Sequence, residues 1–163
     1  VSEHSILVVQ SNLAGTYSAL GRQENAARML RDVYSGNLRL EGEENTNTII
    51  SAGNYANSLA SLQRYAEAKT LLRKTVPMAR RVLGDSHDVT LGIRINHARA
   101  LYENSAATVG DLREAVNSLE DTDRTARRVL GGAHPTTVNI ERALQMARAA
   151  LAARETPPTT SHT

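Results

Sequence analysis

Apolar and small side chains recur every three or four residues through most of the chain, the spacing that gives an α-helix one greasy face. From about His4 to Leu20 the set is Ile6, Val9, Leu13, Tyr17 and Leu20, which predicts a first helix with those residues inward and Gly21 as its stop. A second helix follows from about Glu24 to Leu40, with Ala26, Leu30, Val33 and Leu40 inward and a polar turn at residues 41–45. Thr46 to Leu62 and Tyr65 to Leu83 repeat the plan, the latter burying Ala68, Leu71, Leu72, Val76, Met78 and Val82. Pro77 falls inside that fourth helix, where a missing donor and a crowded turn predict a kink. Gly84-Asp85-Ser86 supplies a stop and a cap before the fifth helix, about Asp88 to Glu103. Residues 104–110 are expected to form a longer loop. Leu112, Val116, Leu119, Ala126 and Leu130 then mark a sixth helix that ends at Gly131-Gly132. Pro135, which fits a first turn, opens a seventh that runs to about Arg154. Residues 156–163 carry little to bury and are expected to be a mobile tail.

The helices fall into a repeat. Asn12-Leu13-Ala14, Asn54-Tyr55-Ala56 and Asn96-His97-Ala98 stand 42 residues apart, and Ala26 and Ala68 recur at the same interval. The later landmarks Gly84 and Gly131, like His87 and His134, are 47 apart, so the third unit carries five extra residues between its helices. A unit of this size cannot bury its own apolar face and needs neighbours, so it signals a stacked array. Ala14, Ala56 and Ala98 let the two helices of each hairpin approach closely, and Ala26, Ala68 and Ala115 accept that contact.

Composition narrows the chemistry. The 163 residues include five Tyr but no Phe, Trp or Cys, so Leu, Val, Ile and Ala must fill the core, and disulfides and thiolate sites are excluded. No run of about 18 apolar residues and no secretory leader pattern is present, so a soluble, intracellular (cytoplasmic) protein is expected. The opening Val1-Ser2-Glu3 suggests a fragment of something longer. Nineteen basic side chains against 17 acidic ones give +2, but residues 1–63 hold four Arg against six acids while the remainder holds fifteen basic against eleven acidic. Arg80-Arg81 and Arg127-Arg128 contribute to that skew. A solvated helix face is the simplest account of it; a nucleic-acid-binding stripe is the alternative, for which five scattered Tyr make a poor stacking platform.

Catalytic patterns are missing. Glu43-Glu44 and Asp121 with Asp123 are paired carboxylates, but on exposed turns and surfaces nothing would shift their protonation. His97 lacks the helical His or Glu partner of a zinc protease, and no phosphate-cradling glycine loop precedes a lysine. His87 and His134 occupy equivalent linker positions, which points to closing the turn before a helix rather than holding metal.

The phrases Asn12-Leu13-Ala14-Gly15-Thr16-Tyr17, Asn54-Tyr55-Ala56 with Tyr65-Ala66-Glu67-Ala68, Val82-Leu83-Gly84-Asp85-Ser86-His87 and Val129-Leu130-Gly131-Gly132-Ala133-His134-Pro135 resemble the tetratricopeptide repeat, in its 42-residue kinesin light chain form. Departures are Gln63 at the turn glycine, His87-Asp88 where a His-Pro pair belongs, and Gln145 at the small position of the last helix. The resemblance implies an all-α, right-handed solenoid over residues 1–155. Its repeats would span about 4–45, 46–87 and 88–134, with a capping helix at 135–154. It further implies a non-catalytic scaffold, without cofactor or metal, whose first helices line a concave groove for a peptide or partner domain. Carried across, the groove residues are Asn12, Asn54, Asn57, Asn96, Arg99, Tyr102 and Arg142, with the two arginines favouring an acidic partner. For the asparagines the competing role is bridging adjacent repeats. Arg99 and Arg142 could instead pair with Glu103 and Glu141, and Tyr102 could be packing. A sensor or assembly arm of a larger enzyme or NTPase is a further alternative. So is homotypic docking through Ile140, Leu144, Ala147 and Leu151 of the last helix.

Overall fold

The computed structural model describes residues 2–156, and within them every regular element is a helix. In order these are α1 (Glu3–Ala19), α2 (Gln23–Glu41), α3 (Thr46–Ser61), α4 (Tyr65–Leu83), α5 (Asp88–Tyr102), α6 (Val109–Leu130) and α7 (Pro135–Glu155). Consecutive helices pack against each other throughout, so α1/α2, α3/α4 and α5/α6 form three stacked hairpins with α7 laid on the last. The expected mobile tail lies outside the described residues, apart from Thr156, whose amide caps α7 on the Ala152 carbonyl.

Each hairpin closes on alanine. Ala14, Ala56 and Ala98 on the first helices and Ala26, Ala68 and Ala115 on the second are fully buried, which leaves no room for a longer side chain. Gly36 serves the same purpose in the first hairpin, because a Cβ there would come within 2.7 Å of Leu7. Around these contacts Ile49, Leu59, Leu72, Leu91, Leu101, Leu119 and Ile140 supply the bulk of the core.

The linkers between repeats are built alike. Gly42, Gly84 and Gly131 end α2, α4 and α6 with φ of 82°, 93° and 85° and ψ near 160–175°, a region essentially reserved for glycine. Three residues on, a side chain caps the next helix: Asn45 Oδ1 accepts from Asn47 N at 2.8 Å, and His87 and His134 accept through Nδ1 from Val89 N and Thr136 N, each at 3.2 Å. The two histidines thus close turns, as their equivalence suggested. Arg80-Arg81 and Arg127-Arg128 sit in the last turns of α4 and α6, where positive charge is favourable beside the negative end of the helix dipole.

Several expectations need correction. On α1 the buried residues are Leu7 and Ala14, whereas Ile6, Val9, Leu13 and Leu20 are 45%, 64%, 42% and 67% exposed. The three-and-four spacing found a true apolar face, but it is not the face that meets α2. Leu40 and Val82, each in the last turn of its helix, also lie outward. Pro77 lies inside α4, as expected, and does not divide the helix. The five surplus residues are only partly loop: α6 begins at Val109 behind a Thr108/Asp111 capping box, and Ala107 is buried in the core. Ile140, Leu144 and Ala147 of α7 are buried against the third hairpin, with Leu151 packed beside them, so they offer no face to another copy. α7 tolerates Gln145 because it turns its own Ala143 and Ala147 inward instead, leaving Gln145 exposed.

Candidate functional site

The first helices also touch each other, α3 on α5 and α5 on α7. The second helices reach one another through long side chains, Lys69 Nζ to Asp111 at 2.5 Å and Arg73 to Glu114 at 3.5 Å. Close spacing among α3, α5 and α7 and wider spacing among the second helices curve the stack with its first helices on the inside, and α1 continues their row at the 42-residue repeat. The Lys69 ammonium and the Thr108 amide together hold the Asp111 carboxyl down at about 2.

On that inner wall Asn12, Asn54 and Asn57 are exposed and Asn96 is half-buried. Asn12 and Asn54 face one crevice between α1 and α3, with Val8, Ser11, Ile50 and Ser51. Asn54 and Asn57 face a second beside it, lined by Ser11, Gly15, Ser18 and Ser61. Ser58, 6% exposed, borders the second crevice with a hydroxyl that has no hydrogen-bond partner. The asparagine recurrence alone does not single out these serines.

Arg99 is the hub of a polar ladder. It donates through Nη1 to Asn57 Oδ1 at 3.3 Å, and through Nε and Nη2 to the two oxygens of Glu103 at 3.1 and 3.4 Å. The Tyr65 hydroxyl reaches Glu103 at 3.5 Å. The Glu103 carboxylate hydrogen-bonded to it keeps the Arg99 guanidinium protonated, with its pKa raised. That forked pair neutralises Arg99, so it presents an oriented donor rather than a free positive charge. Arg142 is exposed and stands apart from its neighbour Glu141, which pairs with Arg127 at 3.4 Å. Tyr102 is 9% exposed and packs in the core with Leu101, Ala107 and Leu112; burial lifts its hydroxyl to about 12. It belongs to the hairpin interior rather than to the wall, as does Ala60 at the same register.

Three of the four carboxylates considered for acid-base work are held by arginines, Glu44 by Arg81. Asp121 accepts from Arg94 Nη2 at 2.5 Å, which lowers its pKa, and Asp123 accepts from Arg127 Nε at 2.7 Å. A general acid needs the opposite shift. Among the described residues no three His, Asp or Glu side chains gather as a metal site.

The tetratricopeptide repeat model matches residues 6–47 and 48–88, two successive units in the register read from the asparagines. Among solved structures, a Podosopora anserina protein described as a kinesin light chain with nearly identical TPR-like repeats superposes with a TM-score of 0.72 at 26% identity, covering 91% of this chain and 68% of that one. A second crystal structure under the same description, of a form with one residue substituted, gives 0.58 at 20% identity over 95% and 91%. BtubC (BKLC) from P. vanneervenii gives 0.68 at 16% identity, over 96% and 68%, and so shows a shared fold. No curated protein matches the chain. With two matched units, alanine-closed hairpins and kinesin light chain-like structural neighbours, this chain belongs to the tetratricopeptide repeat family.

Proposed function

We propose that the chain is a non-catalytic scaffold that holds an extended peptide, or the edge of a partner domain, against the inner wall formed by α1, α3 and α5. Tetratricopeptide repeats are in general protein-interaction scaffolds. The observation that carries the finer reading is the pair of crevices between α1 and α3, where Asn12, Asn54 and Asn57 face outward among small serines. A carboxamide carries both donors and an acceptor, and so pairs with a peptide unit in either orientation. Small neighbours let a backbone approach closely. Asn96 extends the wall toward α7, and at that end of the stack the exposed Arg142 supplies charge for an acidic group.

Nucleic acid is disfavoured by how the arginines are used. Arg39, Arg64, Arg73, Arg80, Arg81, Arg113, Arg124, Arg127 and Arg148 all pair with carboxylates on the surface. Tyr34 and Tyr55 stack on each other at 6.4 Å instead of offering free rings. No helix of the described residues is long and apolar enough to cross a membrane.

The test is affinity capture of a partner, mapping of the bound peptide, and titration of that peptide into wild type and an Asn12→Ala, Asn54→Ala variant. Loss of two side-chain hydrogen bonds, at roughly 0.5–1.5 kcal/mol each, is expected to weaken binding roughly 5- to 150-fold, with unchanged circular dichroism. Equal affinity in a folded variant removes the α1/α3 crevices from the site.

A further inference from the structure

Three register positions decide how each first helix meets what precedes it. In α3 they are Thr48, Ser51 and Tyr55; in α5, Thr90, Ile93 and His97; in α7, Thr137, Ile140 and Leu144. All are buried except Tyr55, which is half-buried and stacked on Tyr34 of α2. Thr90 donates to the Ala79 carbonyl of α4 at 3.3 Å, and Thr137 to the Gly131 carbonyl at the end of α6 at 2.8 Å. The same positions in α1 are Ile6, Val9 and Leu13. They form the most apolar of the four sets, and they are 45%, 64% and 42% exposed. The end of an array stays soluble by presenting a polar outer face. This end presents the reverse.

We infer that the outer face of α1 is an inter-repeat interface, whose occupant is the second helix of a further hairpin of the same kind stacked ahead of α1. Such a contact would continue an interface that the molecule already builds three times, α2 on α3, α4 on α5 and α6 on α7. In each case the preceding second helix packs on this first helix, and Ile93 also meets Gly53 of α3. A second copy of the chain is a poor occupant. Its second helices have already spent their stripes, with Ala26, Leu30 and Val33, Ala68, Leu71 and Leu72, and Leu112, Ala115 and Leu119 all buried at home. Its far end offers α7, whose exposed side mixes Glu141, Arg142 and Gln145 with Val138 and Met146, and it is a first helix, whereas each existing junction sets a second helix on a first.

The experiment adds a copy of residues 46–87 directly before His4, the same 42-residue step that joins α4 to α5. Val9→Asp is then introduced in both the extended chain and the 163-residue chain. Because Val9 is 64% exposed, the substitution is expected to leave the melting temperature of the shorter chain within about 1 °C. In the extended chain, where it would bury an unpaired carboxylate, a fall of roughly 4 °C or more is expected, along with slowed amide exchange in α1. Equal, negligible effects in the two chains would overturn the inference. So would a dimer of the 163-residue chain that Val9→Asp converts to monomer, since that assigns the face to a second copy. Should the extended chain not fold, a synthetic peptide of residues 64–84 titrated into the 163-residue chain replaces it. Chemical-shift changes at Ile6, Val9 and Leu13 support the inference, and their absence at millimolar peptide overturns it.

Discussion

Adding one methyl group is expected to have opposite effects at Gly84 and Gly15. Gly84 sits at φ 93° and ψ 160° between α4 and α5, and its amide donates to the Arg80 carbonyl at 3.1 Å. A Cβ built there meets nothing within 4 Å, and alanine would keep the same amide, so neither packing nor hydrogen bonding changes. Only the backbone conformation is penalised, by about 1–3 kcal/mol. Gly15 lies inside α1 with equally open surroundings, and there alanine gains about 0.5–1 kcal/mol of helix propensity. Urea titrations followed by far-UV circular dichroism would read the two shifts as midpoint changes at constant slope. In heat, Gly84→Ala is expected to lower the melting temperature by roughly 2–12 °C and Gly15→Ala to raise it by about 2 °C. A neutral Gly84→Ala would refute the claim that the linker geometry requires glycine, and with it the common design of the junctions at Gly42, Gly84 and Gly131.

Arg94 is 3% exposed and held by Asp121, whose carboxylate is 46% exposed. Asp121→Asn strands a buried cation and is expected to cost about 1–3 kcal/mol, less than for a fully buried pair because water reaches the carboxylate side; Arg94→Met should stay within about 1 kcal/mol of wild type in the same denaturation assay. His97 is buried with Nε2 lacking a hydrogen-bond partner, and desolvation lowers its pKa despite Glu114 at 3.9 Å, with Arg73 and Lys69 adding to the lowering. The unfolded chain therefore binds that proton first. Stability contributed by neutral His97 is complete above the ordinary imidazole pKa of about 6.5 and is lost as pH falls through the lower folded value, a slope that His97→Leu should remove from a stability-versus-pH series. Ala56→Leu, at a fully buried hairpin contact, should cost about 1–3 kcal/mol or more by overpacking, whereas Ala19→Leu on the exposed end of α1 should stay within about 0.5 kcal/mol.

The architecture is legible in the sequence because its cause is periodic: alanine at a fixed step permits close hairpins, and a glycine followed three residues later by Asn or His builds each junction. What covers a face is less legible. Ile6, Val9 and Leu13 read as an inward stripe because spacing reports that residues share a side, not that a neighbour exists. Arg94 and His97 give no local sign of burial, since charge marks a surface unless the register partners Ala52 and Tyr55 are consulted. The asparagines of the wall stand out through recurrence, whereas the serines beside them do not, because small polar residues look the same in a crevice as on an open helix. Spacing from Arg99 draws Tyr102 to the groove, although its register partner Ala60 already points inward.

The curved inner wall is tested most directly by an amide-exchange footprint of a captured peptide on the 163-residue chain. Protection is expected along α1, α3 and α5, centred on the segments that carry Asn12, Asn54 and Asn57. Protection confined to the outer sides of α2, α4 and α6, with those three helices unchanged, would contradict it.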